Sequence, residues 1–184
     1  SSGAGAYLRN SSTVDFTNVT IVNNSAGLYG NGIYMRDEVE LTLLNTIVWD
    51  NNSPQIYFRS EGAEVELSIE YCTIQDAENG IEINDNGNLN WGIGNSDEDP
   101  YFCSPSESDY YLSQNSSCED GGEGGALVGC FPAGCGPVNI GPVWYVDQNG
   151  SNLNDGSLDR PFQTIARAFE SSIDGDTILS LIHI

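Results

Sequence analysis

A short phrase, Tyr-x-Arg, returns along this chain at a nearly fixed spacing, and that spacing limits the folds available. Gly3, Ala6, Tyr7 and Arg9 match Gly30, Ile33, Tyr34 and Arg36 at an offset of 27 residues. Val14, Phe16, Asn18 and Ile21 match Leu41, Leu43, Asn45 and Val48 at the same offset, and a further 26 residues reaches Leu67, Ile69, Tyr71 and Ile74. The third Tyr-x-Arg comes early, at Tyr57 and Arg59, through a shortened loop. A fourth, decayed copy begins at 80–85, where Glu82 and Asn84 replace the tyrosine and arginine.

Each unit is too short for a strand–helix–strand element and carries no 3.6-residue period. It holds two or three runs of period-two alternation broken by Asn, Gly and Asp. One such unit cannot bury its own apolar face, whereas stacked units can. A β-sandwich accounts for short strands but not for the constant offset. The spacing predicts a coiled ribbon whose equivalent strands pair in parallel about 4.8 Å apart. Ala6/Leu8, Ile33/Met35, Ile56/Phe58 and Ile81/Ile83 then fill the interior as ladders. Asn18 and Asn45 fall at a bend, where asparagine tolerates left-handed backbone angles and is expected to stack its amides between coils.

Strand alternation gives the repeated phrase a direction. With Ile33 and Met35 inside, Tyr7, Tyr34 and Tyr57 are expected in one exposed column, and Arg9, Arg36 and Arg59 in the next. The arginines repel one another by about 0.5–1 kcal/mol per adjacent pair, with Asp37, Glu38 and Glu61 nearby to offset this. Two readings follow. The column is a structural spine, with arginines covering tyrosine rings. Alternatively it is a glycan site, with rings stacking on sugars and guanidinium groups forking carboxylates or sulfates.

Charge narrows the partners. The 184 residues carry a formal charge of −22 and no lysine; the cations are Arg9, Arg36, Arg59, Arg160 and Arg167. Such a body repels phosphate backbones, which argues against nucleic acid. No apolar run reaches the roughly 20 residues that cross a bilayer, so membrane insertion is not expected. The acid-rich stretches 83–88, 95–100 and 147–156 could offer oxygens to calcium, but none has the spacing of an EF-hand loop. No cofactor or metal is assigned.

Of five cysteines, Cys72 occupies the coil position of Val19 and Thr46 and is expected to pack as a small apolar side chain. Cys103, Cys118, Cys130 and Cys135 lie in a glycine-rich stretch with little to bury. Two disulfides among them, in any of three pairings, or partly reduced structural thiols are expected. Their spacing lacks a Cys-x-x-Cys knuckle, which disfavours zinc.

The fragments "FTNVTIVNNSA" and "LNTIVWDNN" resemble coil phrases of right-handed parallel β-helix proteins of the pectate-lyase-like superfamily, of the secreted bacterial type. Residues 97–122 resemble the closing segment of that group, with Ser117 where proline is usual. Residues 143–178 resemble its opening module. The resemblance implies an all-β solenoid with one short capping helix near the C-terminus. It divides the chain into coils at 1–102, a Cys/Gly-rich closing segment at 103–136, and the start of a second β-helix at 137–178. Within that start a strand is expected at 143–146, a helix from Thr164 to Ser171 and a strand beginning at 175–178. Pro161 and the spacing of Ile165, Ala168 and Phe169 support the helix independently.

The chain opens in the middle of a repeat, which reads as a truncation. Its last six residues, "LSLIHI" at 179–184, resemble the translated end of a transposon adapter used in library preparation, so His183 is given no role. The expectation is a monomeric, extracellular or cell-surface protein without catalysis, binding acidic polysaccharide or another surface component. A polysaccharide lyase or glycoside hydrolase with its catalytic coils elsewhere is the alternative, and a structural spacer the third. No catalytic motif of the superfamily transfers onto these residues.

Overall fold

The computed structural model describes residues 5–27 and 31–181. Gly3, Gly30 and His183 lie outside the described residues. Two compact units form, one from residues 1–100 with 116–133, the other from 101–115 with 134–184.

The first unit is a stack of coils. One coil contributes β1 (Ala6–Leu8), β2 (Thr13–Thr17) and β3 (Thr20–Val22); the next, β4 (Ile33–Met35), β5 (Glu40–Leu44) and β6 (Ile47–Trp49). The third contributes β7 (Ile56–Phe58), β8 (Val65–Glu70) and β9 (Thr73–Ile74), and the fourth β10 (Ile81–Glu82) and β11 (Gly87–Trp91). Equivalent strands pair into three sheets, β1-β4-β7-β10, β2-β5-β8-β11 and β3-β6-β9. Every pairing among them is parallel. The register is the one the offsets predict: Ala6 opposite Ile33, Leu41 opposite Leu67, Val48 opposite Ile74.

Alternation builds the core. Ile33, Met35, Ile56, Phe58, Leu41, Leu43, Val65 and Ile69 are fully buried, with Ala6, Leu8 and Ile83 partly buried against them. Cys72 joins this core, as expected, and its Sγ accepts the Thr46 N–H at 3.3 Å. Burial pushes its thiol up to about 12, so it stays protonated at neutral pH.

The bends need the left-handed conformation: Asn18, Asn45 and Tyr71 have φ of 55°, 47° and 51°. The Asn18 and Asn45 amides, expected to stack between coils, bond elsewhere. Asn18 Nδ2 donates to the Leu127 carbonyl, and Asn45 Oδ1 accepts the Glu123 N–H at 2.8 Å. Residues 116–133 run back over the bend and over β3-β6-β9, so the amides bind that strap instead. Amide stacking between coils occurs one corner further on. Asn24 N–H and Nδ2 donate to Asn51 Oδ1 at 3.0 and 2.9 Å, and Asn51 Nδ2 donates to the Ile21 carbonyl at 2.8 Å and to Gln55 Oε1 at 3.0 Å. Gln55 Nε2 then donates to Gln75 Oε1 at 3.0 Å. Asn51 is fully buried, so this chain satisfies groups that water cannot reach.

The second unit begins with β12 (Phe102–Ser104) antiparallel to β13 (Asp109–Ser113), with β14 (Ala133–Cys135) on the other side of β13. A disulfide joins Cys103 to Cys135. The expected second bond is absent: Cys118 is free and buried, and Cys130 is free and exposed. The strap explains why. Cys118 Sγ lies 3.3 Å from Thr73 Oγ1, while the Cys130 N–H donates to Thr20 Oγ1 at 3.1 Å. Thr20 and Thr73 occupy the outer rungs of one three-strand ladder through Ile47. That separation is about 9–10 Å, too far for a disulfide.

After β14, β15 (Val143–Val146) pairs in parallel with β16 (Thr177–Ser180), and α1 (Ile165–Ser171) packs on both. The expected strand and helix are therefore present, and the final strand begins at Thr177, within the expected 175–178. Thr164 caps α1 by accepting the Arg167 N–H at 3.3 Å. Ala168 is the buried residue of the helix, whereas Ile165 and Phe169 are exposed. Leu179 and Ser180, read as part of an adapter-derived tail, belong to β16; residues 182–184 lie outside the described residues.

Candidate functional site

On β1, β4 and β7 the repeated phrase is laid out in register: Tyr7 opposite Tyr34, and Tyr34 opposite Tyr57. The rings stack, with centroids 5.1 Å apart and planes within 3° for Tyr7–Tyr34, and 5.6 Å and 16° for Tyr34–Tyr57. Parallel pairing imposes this spacing, and ring contact adds to it. The expected exposure is not found. Tyr34 and Tyr57 are only 6% and 7% exposed, and Tyr7 is 40% exposed. Alternation correctly turns them away from the core, but each ring shields its neighbour, and the Tyr34 ring is covered on both faces. Burial, and then the charge Tyr7 would carry, raise the Tyr34 phenol above its ordinary value. These faces are closed to a sugar.

The arginines follow at the next position of the same rungs. Arg36 N–H donates to the Leu8 carbonyl at 3.2 Å and Arg59 N–H to the Met35 carbonyl at 2.9 Å, which carries the stacking register through both residues. Asp37 and Glu38 then turn the chain at φ of 58° and 61°. Arg9 is exposed, with its guanidinium 5.8 Å from the Tyr7 ring centroid. Arg36 Nε donates to Asp37 Oδ2, which raises the guanidinium further above its already high value. Arg59 lies 3.5 Å from an exposed Glu61 carboxylate. Glu38, expected to offset the arginines, instead accepts from Ser11 Oγ. The Arg36 and Arg59 side chains remain 29% and 31% exposed. On the fourth rung Glu82 continues the tyrosine column opposite Tyr57, and Asn84 Nδ2 donates to the Phe58 carbonyl at 2.7 Å.

The geometry therefore separates two roles that the sequence joined. The tyrosines form an internal ring stack on the outer side of the sheet, and the arginines form a file of partly open guanidinium groups along its edge. Each guanidinium offers paired N–H donors suited to a carboxylate or sulfate. Among the described residues no group of three or more His, Cys, Asp or Glu is arranged to hold a metal ion. The sequence missed the carboxylate that binds Arg36 most closely only in its detail; Asp37 was legible as a neighbour, its hydrogen bond was not.

A family model described as the right-handed β-helix region matches residues 1–125. The chain belongs to the right-handed β-helix family. The matched stretch of this β-helix protein contains all six tyrosines and arginines of the two columns. No curated protein and no solved structure matches the chain.

Proposed function

We propose that this β-helix protein is an exported, non-catalytic binding protein whose arginine file holds a linear acidic polysaccharide or a comparable polyanion of a cell surface. The observation that carries the reading is the placement of Arg9, Arg36 and Arg59 on three successive rungs at one register. Three of the five cations of a −22 chain stand there, against their mutual repulsion. A repeating anion would meet them one after another, and two-point hydrogen bonds at each would reward a carboxylate or sulfate over a hydroxyl. Tyr34 and Tyr57, being buried, contribute by fixing the rung spacing rather than by touching sugar. The Cys103–Cys135 disulfide supports an oxidising, extracellular setting.

The test is an array of uronate-rich, sulfated and neutral glycans, probed with the wild-type chain and with Arg9→Gln, Arg36→Gln and Arg59→Gln combined. Retention on the acidic glycans alone, abolished in the triple variant, is the expected result. Equal retention by the variant would remove the arginines from the site. No retention on any glycan by the wild-type chain would leave the columns as a structural spine, the reading that the buried tyrosine stack already favours for the rings.

A further inference from the structure

The two arginines outside the file share one place. Arg160 and Arg167 both line a cleft of about 430 Å³ in the second unit, walled on its apolar side by Phe102, Pro105, Val138 and Leu153. That volume lies within the range of small-molecule sites.

The local fold aims both cations there. Arg160 ends a loop closed by the Gly156 N–H donating to the Arg160 carbonyl at 3.0 Å and by the Arg160 N–H donating to Ser157 Oγ at 3.2 Å. Gly156 turns this loop at φ of 74°, where a Cβ would come within 2.5 Å of the Phe162 ring. Arg167 stands in the first turn of α1, its guanidinium carbon 5.3 Å from the Phe162 ring centroid. Asn152, also in the cleft lining, spends its Oδ1 on the Gln163 N–H, the Thr164 N–H and the Thr164 hydroxyl. Its Nδ2 donors are thereby turned away from α1.

Neither guanidinium has an acceptor within hydrogen-bonding range among the described residues. Arg160 lies 3.8 Å from Asp155 and Arg167 3.6 Å from Glu170, contacts of charge without a hydrogen bond. Arg167 Nε is shut off from solvent and unpaired. Arg36 in the file, by contrast, is bonded to Asp37. The cleft thus combines two guanidinium groups, held only by long charge contacts to Glu170 and to the Asp155 carboxylate that also lines it, with an amide donor on one side and an apolar wall on the other.

We propose that this cleft binds an organic carboxylate: the acid between Arg160 and Arg167, the ring-sized apolar body against Pro105 and Leu153. The site is independent of the arginine file and involves no bond-making step.

The experiment titrates the full chain with 2-naphthoate, with its neutral counterpart 2-naphthylmethanol, and with acetate, by calorimetry. Wild-type binding of naphthoate, with acetate much weaker and the alcohol undetectable, is expected. Arg160→Gln and Arg167→Gln should each weaken naphthoate about tenfold or more, as loss of a charged hydrogen bond implies. Asn90→Ala, an exposed position of β11 in the first unit, should leave it unchanged. Arg160 is well exposed and supports no core, so Arg160→Gln with an unaltered melting curve keeps the test valid if Arg167→Gln misfolds. Equal binding of the alcohol, equal binding of acetate, or full affinity in folded Arg160→Gln would overturn the proposal, as would no naphthoate binding at all.

Discussion

The ring of Tyr34 sits 5.1 Å from that of Tyr7 and 5.6 Å from that of Tyr57, so its two faces are both taken by the neighbouring rungs. Emptying that position should be costly although it points away from the core. Tyr34→Ala should lose about 3–5 kcal/mol, the range for removing a buried aromatic ring, whereas Tyr34→Phe keeps the stack and should lose far less. Urea unfolding followed by circular dichroism measures both. Similar losses from the two variants would mean that the hydroxyl, not the stack, matters.

The chain of amides at the adjoining corner predicts a different kind of sensitivity. Asn51→Ala removes the donors to the Ile21 carbonyl and Gln55 and the acceptor for Asn24. The cost should be about 1–3 kcal/mol for each buried group left unpaired, read from the same unfolding curves. Exposed Asn88 donates to Glu66 Oε1 across coils at 2.7 Å from the strand β11, and Asn88→Ala should shift stability by a small fraction of that.

Thiol chemistry should count the cysteines in three steps. At neutral pH a maleimide should label one site in the folded chain, Cys130, because Cys72 and Cys118 are buried and their thiols are raised by burial. Denaturant without reductant should expose three thiols, and reductant all five. Only one labelled site in denaturant would mean that Cys118 is bonded after all.

Acid should loosen the second unit at one identifiable contact. Trp144 Nε1 donates to Asp176 Oδ2 at 2.8 Å, and the Ile173 N–H donates to the same oxygen at 3.0 Å. These bonds, the tryptophan's first, hold the Asp176 carboxyl below its ordinary value. A depressed carboxyl contributes stability that is present above its unfolded pKa of about 3.9 and is lost as pH falls through the lower folded value. Tryptophan fluorescence should therefore report loosening below about pH 4, and Asp176→Asn should flatten that dependence.

The repeat was legible because a parallel stack copies its register into the sequence: Val14, Leu41 and Leu67 pair at offsets of 27 and 26, and Tyr57 still falls opposite Tyr34 although a shorter loop brings it early. The capped helix was legible for local reasons, Pro161 and the spacing around Ala168. Three features were not. Alternation gives a side chain its direction but not its cover, so the burial of Tyr34 escaped. The strap at 116–133 has no period, and what it binds, Asn18 and Asn45, reads as a turn signal and nothing more. The fates of Cys118 and Cys130 followed from that strap, since their separation is set by the ladder beneath them. The cleft at Arg160 and Arg167 had no motif; its one sequence signal was that two cations remained outside the file.

The proposed polyanion site requires Arg9, Arg36 and Arg59 to stand in file on consecutive rungs. Nitroxide labels at Arg9→Cys and Arg59→Cys, in a Cys130→Ser background, measure that arrangement by continuous-wave spin resonance. Two rung spacings predict strong dipolar broadening at a separation of about 10 Å. Spectra that equal the sum of the two singly labelled proteins would place the arginines far apart and contradict both the file and the polyanion site built on it.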